Sequence, residues 1–222
     1  MLIIEGIGKR YGSQQVLKEV ALEIGGEVKV LIGINGSGKS TLLKIIAGII
    51  KADEGKVILQ DRDITGLAPE ERYLGYVPQH PALFSHKTVL ENIRYGMRNG
   101  RGSAEFVEQI VEMLNLGKVL DRKPGELSGG YKSRVSLARA LAPQPEIILL
   151  DEPLSDIDVV VKDKLLPEFR RVLELFHVPV LYVTHDPREA QQVGDRFAVI
   201  IDGHIKEIES AEEAFDMLKI SA

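Results

Sequence analysis

The sequence predicts an α/β fold with a largely parallel sheet and a helical lobe set into it. Three observations carry this. Apolar, β-branched runs of strand length recur with helix-length segments between them, the rhythm of strand–helix–strand units. One of them, VKVLI at 28–32, reads as a strand buried on both faces and passes through a Gly-rich turn straight into a helical pattern. Between residues 88 and 142 helical spacing continues with no strong strand to interrupt it.

Taken in order, residues 2–4 and the alternating VLKEVALEI of 16–24 read as strands of a sheet with one wet face. The buried strand 28–32, a helix over 38–47 and a strand at 57–59 follow. In the lobe, Phe106, Val107, Ile110, Val111 and Leu114 recur at helical spacing, and NGRGS at 99–103 is a flexible loop. Apolar strands return at 147–150, 180–184 and 197–201. A helix is expected over 158–177, its apolar side made by Leu165, Leu166, Phe169, Val172, Leu173 and Phe176; Pro167 lies inside it and should kink or break it.

The bulk composition narrows the function. With 222 residues, 44% hydrophobic and 27% charged, the chain is long and apolar enough for one well-buried domain or two small lobes sharing a core. A formal net charge of −5 gives no bulk attraction for nucleic acid, so no such partner is expected. The absence of cysteine excludes disulfides and thiolate metal sites. The first residues, MLIIEGIGKRYG, lack a signal pattern, and runs such as 45–50 fall far short of a membrane span. The expectation is a cytoplasmic chain that reaches a membrane only through other subunits.

Gly33-Ile34-Asn35-Gly36-Ser37-Gly38-Lys39-Ser40 fits the phosphate-loop pattern G-x-x-x-x-G-K-[ST] and sits between a strand and a helix. Glycines let the backbone curl so that successive N–H groups face a polyphosphate, and the helix N-terminus adds positive potential. ATP and Mg²⁺ are the expected cofactors. Asn35, Gly36, Ser37, Gly38, Lys39, Ser40 and Thr41 would contact the nucleotide; Lys39 would reach the β- and γ-phosphates and Ser40 the metal. A plain Gly-rich turn is the competing reading. The strand IILL at 147–150 ends in Asp151 and Glu152. Beside a phosphate loop, such a strand delivers its Asp to the metal, and Glu152 would face the attacking water as general base or positioning group. His185 ends the strand 180–184; alone it reads as a loop residue, but next to the acidic strand it becomes a donor to the γ-phosphate.

Leu127-Ser128-Gly129-Gly130 lies about 90 residues after the phosphate loop and about 20 before the acidic strand. In this order and spacing the chain resembles the ATP-binding subunits of ATP-binding-cassette (ABC) transporters over essentially its whole length. The resemblance implies a P-loop NTPase (RecA-like) core with an N-terminal antiparallel β-subdomain. It also implies a single domain over 1–222, with a helical subdomain inserted at approximately 84–142. Ser128, Gly129 and Gly130 would form a second phosphate cradle. Tyr11 would stack on adenine with Val16 nearby, Gln79 would touch Mg²⁺ and the attacking water, and His185 falls at the switch histidine. Ser155-Asp156-Ile157-Asp158 resembles the D-loop. Tyr131 after LSGG and Asp156–Ile157 depart from the residues most common there.

The resemblance further implies a head-to-tail homodimer with ATP sandwiched between the phosphate loop of one copy and LSGG of the other. It implies transmembrane permease partners and, indirectly, a solute-binding protein, with the subunit held on the inner face of the cell membrane. His80-Pro81-Ala82-Leu83-Phe84 is the expected permease contact, with lobe packing as the rival explanation for Leu83 and Phe84. The runs 68–72, 75–79, 82–84 and 88–93 resemble importer subunits for oxyanions such as molybdate, tungstate and sulfate, and for iron, sugars and polyamines, with the molybdate/tungstate type nearest within that group. No C-terminal regulatory domain is expected beyond Ala222. The alternative is a soluble ABC ATPase with a mechanochemical role outside transport.

Overall fold

The computed structural model describes residues 1–221, with residues 98, 99, 220 and 221 described by backbone alone. In chain order the elements are β1 (Leu2–Tyr11), β2 (Gln14–Ile24), β3 (Val28–Ile32), α1 (Lys39–Ile46), β4 (Glu54–Leu59), β5 (Arg62–Asp63), β6 (Leu74–Val77), α2 (Val89–Ile93), α3 (Ala104–Met113), α4 (Gly129–Leu141), β7 (Ile147–Asp151), α5 (Val159–Glu174), β8 (Val180–Thr184), α6 (Pro187–Val193), β9 (Arg196–Ile201), β10 (His204–Ile208) and α7 (Ala211–Ser221).

They build two sheets. The smaller, in the order β2-β1-β4-β5, is antiparallel throughout, with Leu2 opposite Ile24 on one side and Leu59 on the other. The larger runs β10-β9-β3-β8-β7-β6; its pairs are parallel except β10 on β9. The helices α2, α3 and α4 all fall between β6 and β7, two neighbours in that sheet. Among the described residues no helix is long and apolar enough to cross a membrane.

The pleat of the larger sheet divides the apolar interior in two. Leu31, Leu149, Leu181 and Ile200 face α1 and the antiparallel sheet; Val30, Ile148, Tyr182 and Val199 face α5, α6 and the α2–α4 lobe. Strands buried on both faces read as unbroken apolar runs, which is why β3, β7 and β8 stand out in the sequence. Arg72 fixes α1 from below. Its buried guanidinium donates to the carbonyls of Ile45 and Ile46 at the helix C-terminus, 2.8 and 2.9 Å away, and to those of Thr65 and Leu67.

Of the kink or break expected at Pro167, the break does not occur: helix α5 runs through the proline. Leu165, Leu166, Phe169, Val172 and Leu173 are buried on both sides of the proline and hold one continuous helix against the sheet. Pro167 itself faces solvent, as does Asp163, whose carbonyl loses its helical donor and can be hydrated instead.

Candidate functional site: a phosphate loop beside two carboxylates

Parallel strands bring their C-terminal ends to one edge of a sheet, where open α/β folds place their ligands. Here that edge gathers Gly33 after β3, His185 after β8, Asp151 and Glu152 at the end of β7, and Gln79 just beyond β6. The acidic strand β7 is not the immediate neighbour of β3, because β8 lies between them. The side chains close the gap: the Ser40 hydroxyl donates to Asp151 Oδ1 over 2.8 Å.

The loop has the shape a polyphosphate needs. A Cβ on Gly33 would stand 2.6 Å from Ile200 Cγ2, and Gly38 has φ +105° with a Cβ position 3.1 Å from the Val16 carbonyl. No side chain caps the first turn of α1, so its N–H groups stay open to a ligand, and the buried Ser37 hydroxyl has no partner. A cavity of about 570 Å³ opens above them, lined by Gln14, Val16, Asn35, Gly36, Gly38, Lys39, Ser40, Thr41, Gln79 and Glu152. Uncapped amides, an orphaned hydroxyl and a lysine in one cleft fit a nucleotide triphosphate.

Lys39 is 4% exposed; its Nζ donates to the carbonyls of Gly33 (2.9 Å) and Ile34 (2.8 Å) and lies 3.4 Å from Glu152 Oε1. Burial pulls its pKa down and the Glu152 charge opposes that. Asp151 is driven the other way, raised by burial, while the hydrogen bonds from Ser40 and Tyr76 act against the rise. Tyr76 donates to Asp151 Oδ2 over 3.1 Å, and burial raises its phenol well above the ordinary value. Glu152 has φ +46°, an unusual backbone for a glutamate, and is pinned by its N–H bonding to the Val183 carbonyl at 3.0 Å. That geometry turns its carboxylate to His185 Nδ1, 2.8 Å away.

The other sequence-derived residues are more scattered. Val16 lines the cavity, whereas Tyr11 sits at the end of β1 with an exposed ring under Lys9 and does not. Ser128 precedes α4 and Gly129 and Gly130 begin it, again without a side-chain cap, but none of the three lines this cavity. Of the two departures, Tyr131 packs on the core beneath Arg134, and Asp156 holds His80 Nδ1 at 2.7 Å. The pair Leu83–Phe84 divides. Leu83 packs on the core, while Phe84 stacks half-buried on Tyr95 (centroids 4.3 Å apart) with its backbone held by buried Asn92. Sequence reasoning assigned no role to Gln14 or Tyr76. Alternation in LGYV puts Leu74 and Tyr76 on one face of β6 without indicating the neighbouring strand, and nothing singled out Gln14.

A parallel sheet with an uncapped phosphate loop and an Asp–Glu pair at one edge defines a nucleotide-binding P-loop domain. Residues 17–155, more than half of the chain, match the family described as ABC transporter, and the chain belongs to that family. It is 46% identical to the molybdate/tungstate import ATP-binding protein WtpC of Archaeoglobus fulgidus, over 93% of this chain and 86% of that one. It is 44% identical to the sulfate/thiosulfate import ATP-binding protein CysA of Methylococcus capsulatus over 96% of its own length, and it spans 64% of that protein. Among solved structures, a nucleotide-free ATP-binding cassette from an ABC transporter superposes with a TM-score of 0.84 at 33% identity, covering 99% of this chain and 95% of the other. A dimeric cassette in a post-hydrolysis state bound to ADP and Pi does so with a TM-score of 0.79 at 32% identity, covering 95% and 99%.

Proposed function

We propose that this chain hydrolyses ATP as the motor subunit of an importer. It would act as a head-to-tail homodimer on transmembrane permease subunits at the inner face of the membrane, with an oxyanion such as molybdate, tungstate or sulfate as cargo delivered by a solute-binding protein. The observation that carries the reading is the convergence of Lys39, Ser40, Asp151 and Glu152 beneath an open helix N-terminus. Its relatives, ATP-binding proteins of molybdate/tungstate and of sulfate/thiosulfate import, support the importer and the oxyanion.

The phosphates would lie against the amides of residues 35–41, where the helix dipole favours negative charge. Lys39 would leave the carbonyls of Gly33 and Ile34 for the phosphate oxygens, which also withdraws its charge from Glu152. Ser40 and Asp151, with Gln79 at the cavity wall, are the groups that would hold Mg²⁺; the ion would neutralise phosphate charge. Glu152, freed from Lys39, would orient the attacking water and accept its proton at a carboxylate oxygen. His185 would donate to the γ-phosphate from the ring nitrogen not facing Glu152. Ser128, Gly129 and Gly130 do not line this cavity, so they would serve the nucleotide of a second copy, and hydrolysis would dissolve the bridge between copies.

Glu152→Gln tests the core of this. It should lower phosphate release by about 100-fold or more while leaving ATP bound, and trap a dimer visible by light scattering. A variant that stays strictly monomeric at saturating ATP and Mg²⁺ would overturn the sandwich. Recovery of the tagged wild type from solubilised membranes with a multi-span protein is the expected sign of the permease; recovery with none would remove the transport assignment.

A further inference from the structure

We infer that Lys162 and Glu189 are positioning residues for His185, forming with Tyr182, Thr184 and Asp186 a buried polar brace that locks the turn carrying the histidine to the helix that follows Glu152. The inference rests on the reading of His185 as the γ-phosphate donor.

The brace lies in the interior between β8, α5 and α6. Glu189 is 1% exposed and Lys162 8%, yet they form an ion pair at 2.7 Å. The remaining Glu189 oxygen accepts from the Tyr182 hydroxyl at 2.9 Å and from Thr184 Oγ1 at 2.8 Å. Lys162 also reaches Asp186 Oδ2 at 3.0 Å. Every polar group of the cluster is therefore matched, and the two residues flanking His185 both belong to it. Thr184 Oγ1 accepts the Asp186 N–H at 3.0 Å, bridging directly across His185, while Asp186 Oδ1 accepts from the Arg188 N–H at 2.9 Å. The imidazole itself stays half-exposed, free to meet a ligand.

The other end of the brace leads to the catalytic carboxylate. The Lys162 N–H bonds to the Asp158 carbonyl at 2.8 Å, and Asp158 caps α5 through the Val160 N–H. The segment between Glu152 and Asp158 is a short run of turns, with Ser155 N–H on the Glu152 carbonyl at 3.1 Å. Lys162 thus ties the start of α5 to the His185 turn, on either side of the 2.8 Å contact between Glu152 and His185. Energetics favour an orienting role. A buried ion pair is no cheaper than two well-packed apolar side chains, so stability alone does not call for one in this place. A donor that must meet a phosphate oxygen does require its backbone fixed to a fraction of an ångström.

The test uses the pair Lys162→Met/Glu189→Gln, which removes both charges of the buried pair, leaves only the part-exposed Asp186 without its lysine, and keeps an amide oxygen for Tyr182 and Thr184. Its kcat for ATP hydrolysis should fall about 10-fold or more, with KM and the Kd of a fluorescent ATP analogue within about twofold of wild type. Lys162→Arg should retain most of the rate. Combined with His185→Ala, the pair should cost little further, because the brace acts through a group already gone. A double variant with wild-type kcat, or one whose loss simply adds to that of His185→Ala, would overturn the inference. So would a joint decline of kcat, ATP affinity and melting temperature, the mark of a merely structural pair. If His185→Ala alone keeps full turnover, the donor reading of His185 is what fails.

Discussion

Asp151 stands at a point where function and stability pull apart. Its carboxylate is buried beside Glu152, and burial raises its pKa above the ordinary value. A raised acid binds more protons in the folded than in the unfolded state across the window between its two pKa values. Its ionisation therefore costs stability as pH rises through that window, and below about pH 4, where both states are protonated, the cost vanishes. Asp151→Asn should accordingly stabilise the nucleotide-free protein at pH 8 by about 0.5–2 kcal/mol and abolish ATP turnover. Urea midpoints at pH 8 and near pH 4 check it: the gain should shrink at the lower pH, and a gain that grows there would contradict the assignment. Asp151 and Lys39 stood out in the sequence because the chemistry proposed for them demands fixed residue types at fixed spacing. Lys162, Tyr182 and Glu189 did not. Their partnership depends on how two helices pack on β8, and no local pattern records that.

At the scale of elements, α5 runs on through a proline where sequence rules place a kink or a break. The buried face on both sides outweighs one missing hydrogen bond on the wet face. Pro167→Ala should restore the donor to the Asp163 carbonyl without touching the core and raise stability by about 1 kcal/mol or more, read from the urea midpoint with ATPase activity unchanged. Loss of stability would mean that the proline is doing something in the fold not apparent from its contacts. Strands buried on both sides were legible from composition, with β3 and β8 readable to the residue. β6, β5 and β10 were missed for one reason: LGYV and HIKEI are short and polar or Gly-containing at the edges of a sheet, and RD is only two residues long.

At the scale of the molecule, order in space departs from order in sequence. β3, which carries the phosphate loop, pairs at Val28 with Val180 of β8 and at Lys29 with Arg196 of β9. Both neighbours come from the last quarter of the chain, although the loop belongs to its first fifth. A chain ending at residue 179 keeps Lys39, Ser40, Asp151 and Glu152 yet lacks both walls of their sheet. It should show no saturable binding of a fluorescent ATP analogue; tight binding by that fragment would mean the loop is set by local structure alone. The consequence reaches back to synthesis. As the polypeptide leaves the ribosome, the antiparallel strands at its start can pair at once, whereas the strand bearing the phosphate loop must wait for residues 180–201. Until then β3 has no strand to pair with. The phosphate loop is thus translated well before the strands that put it in place, and for that interval it depends on whatever shields nascent chains from one another.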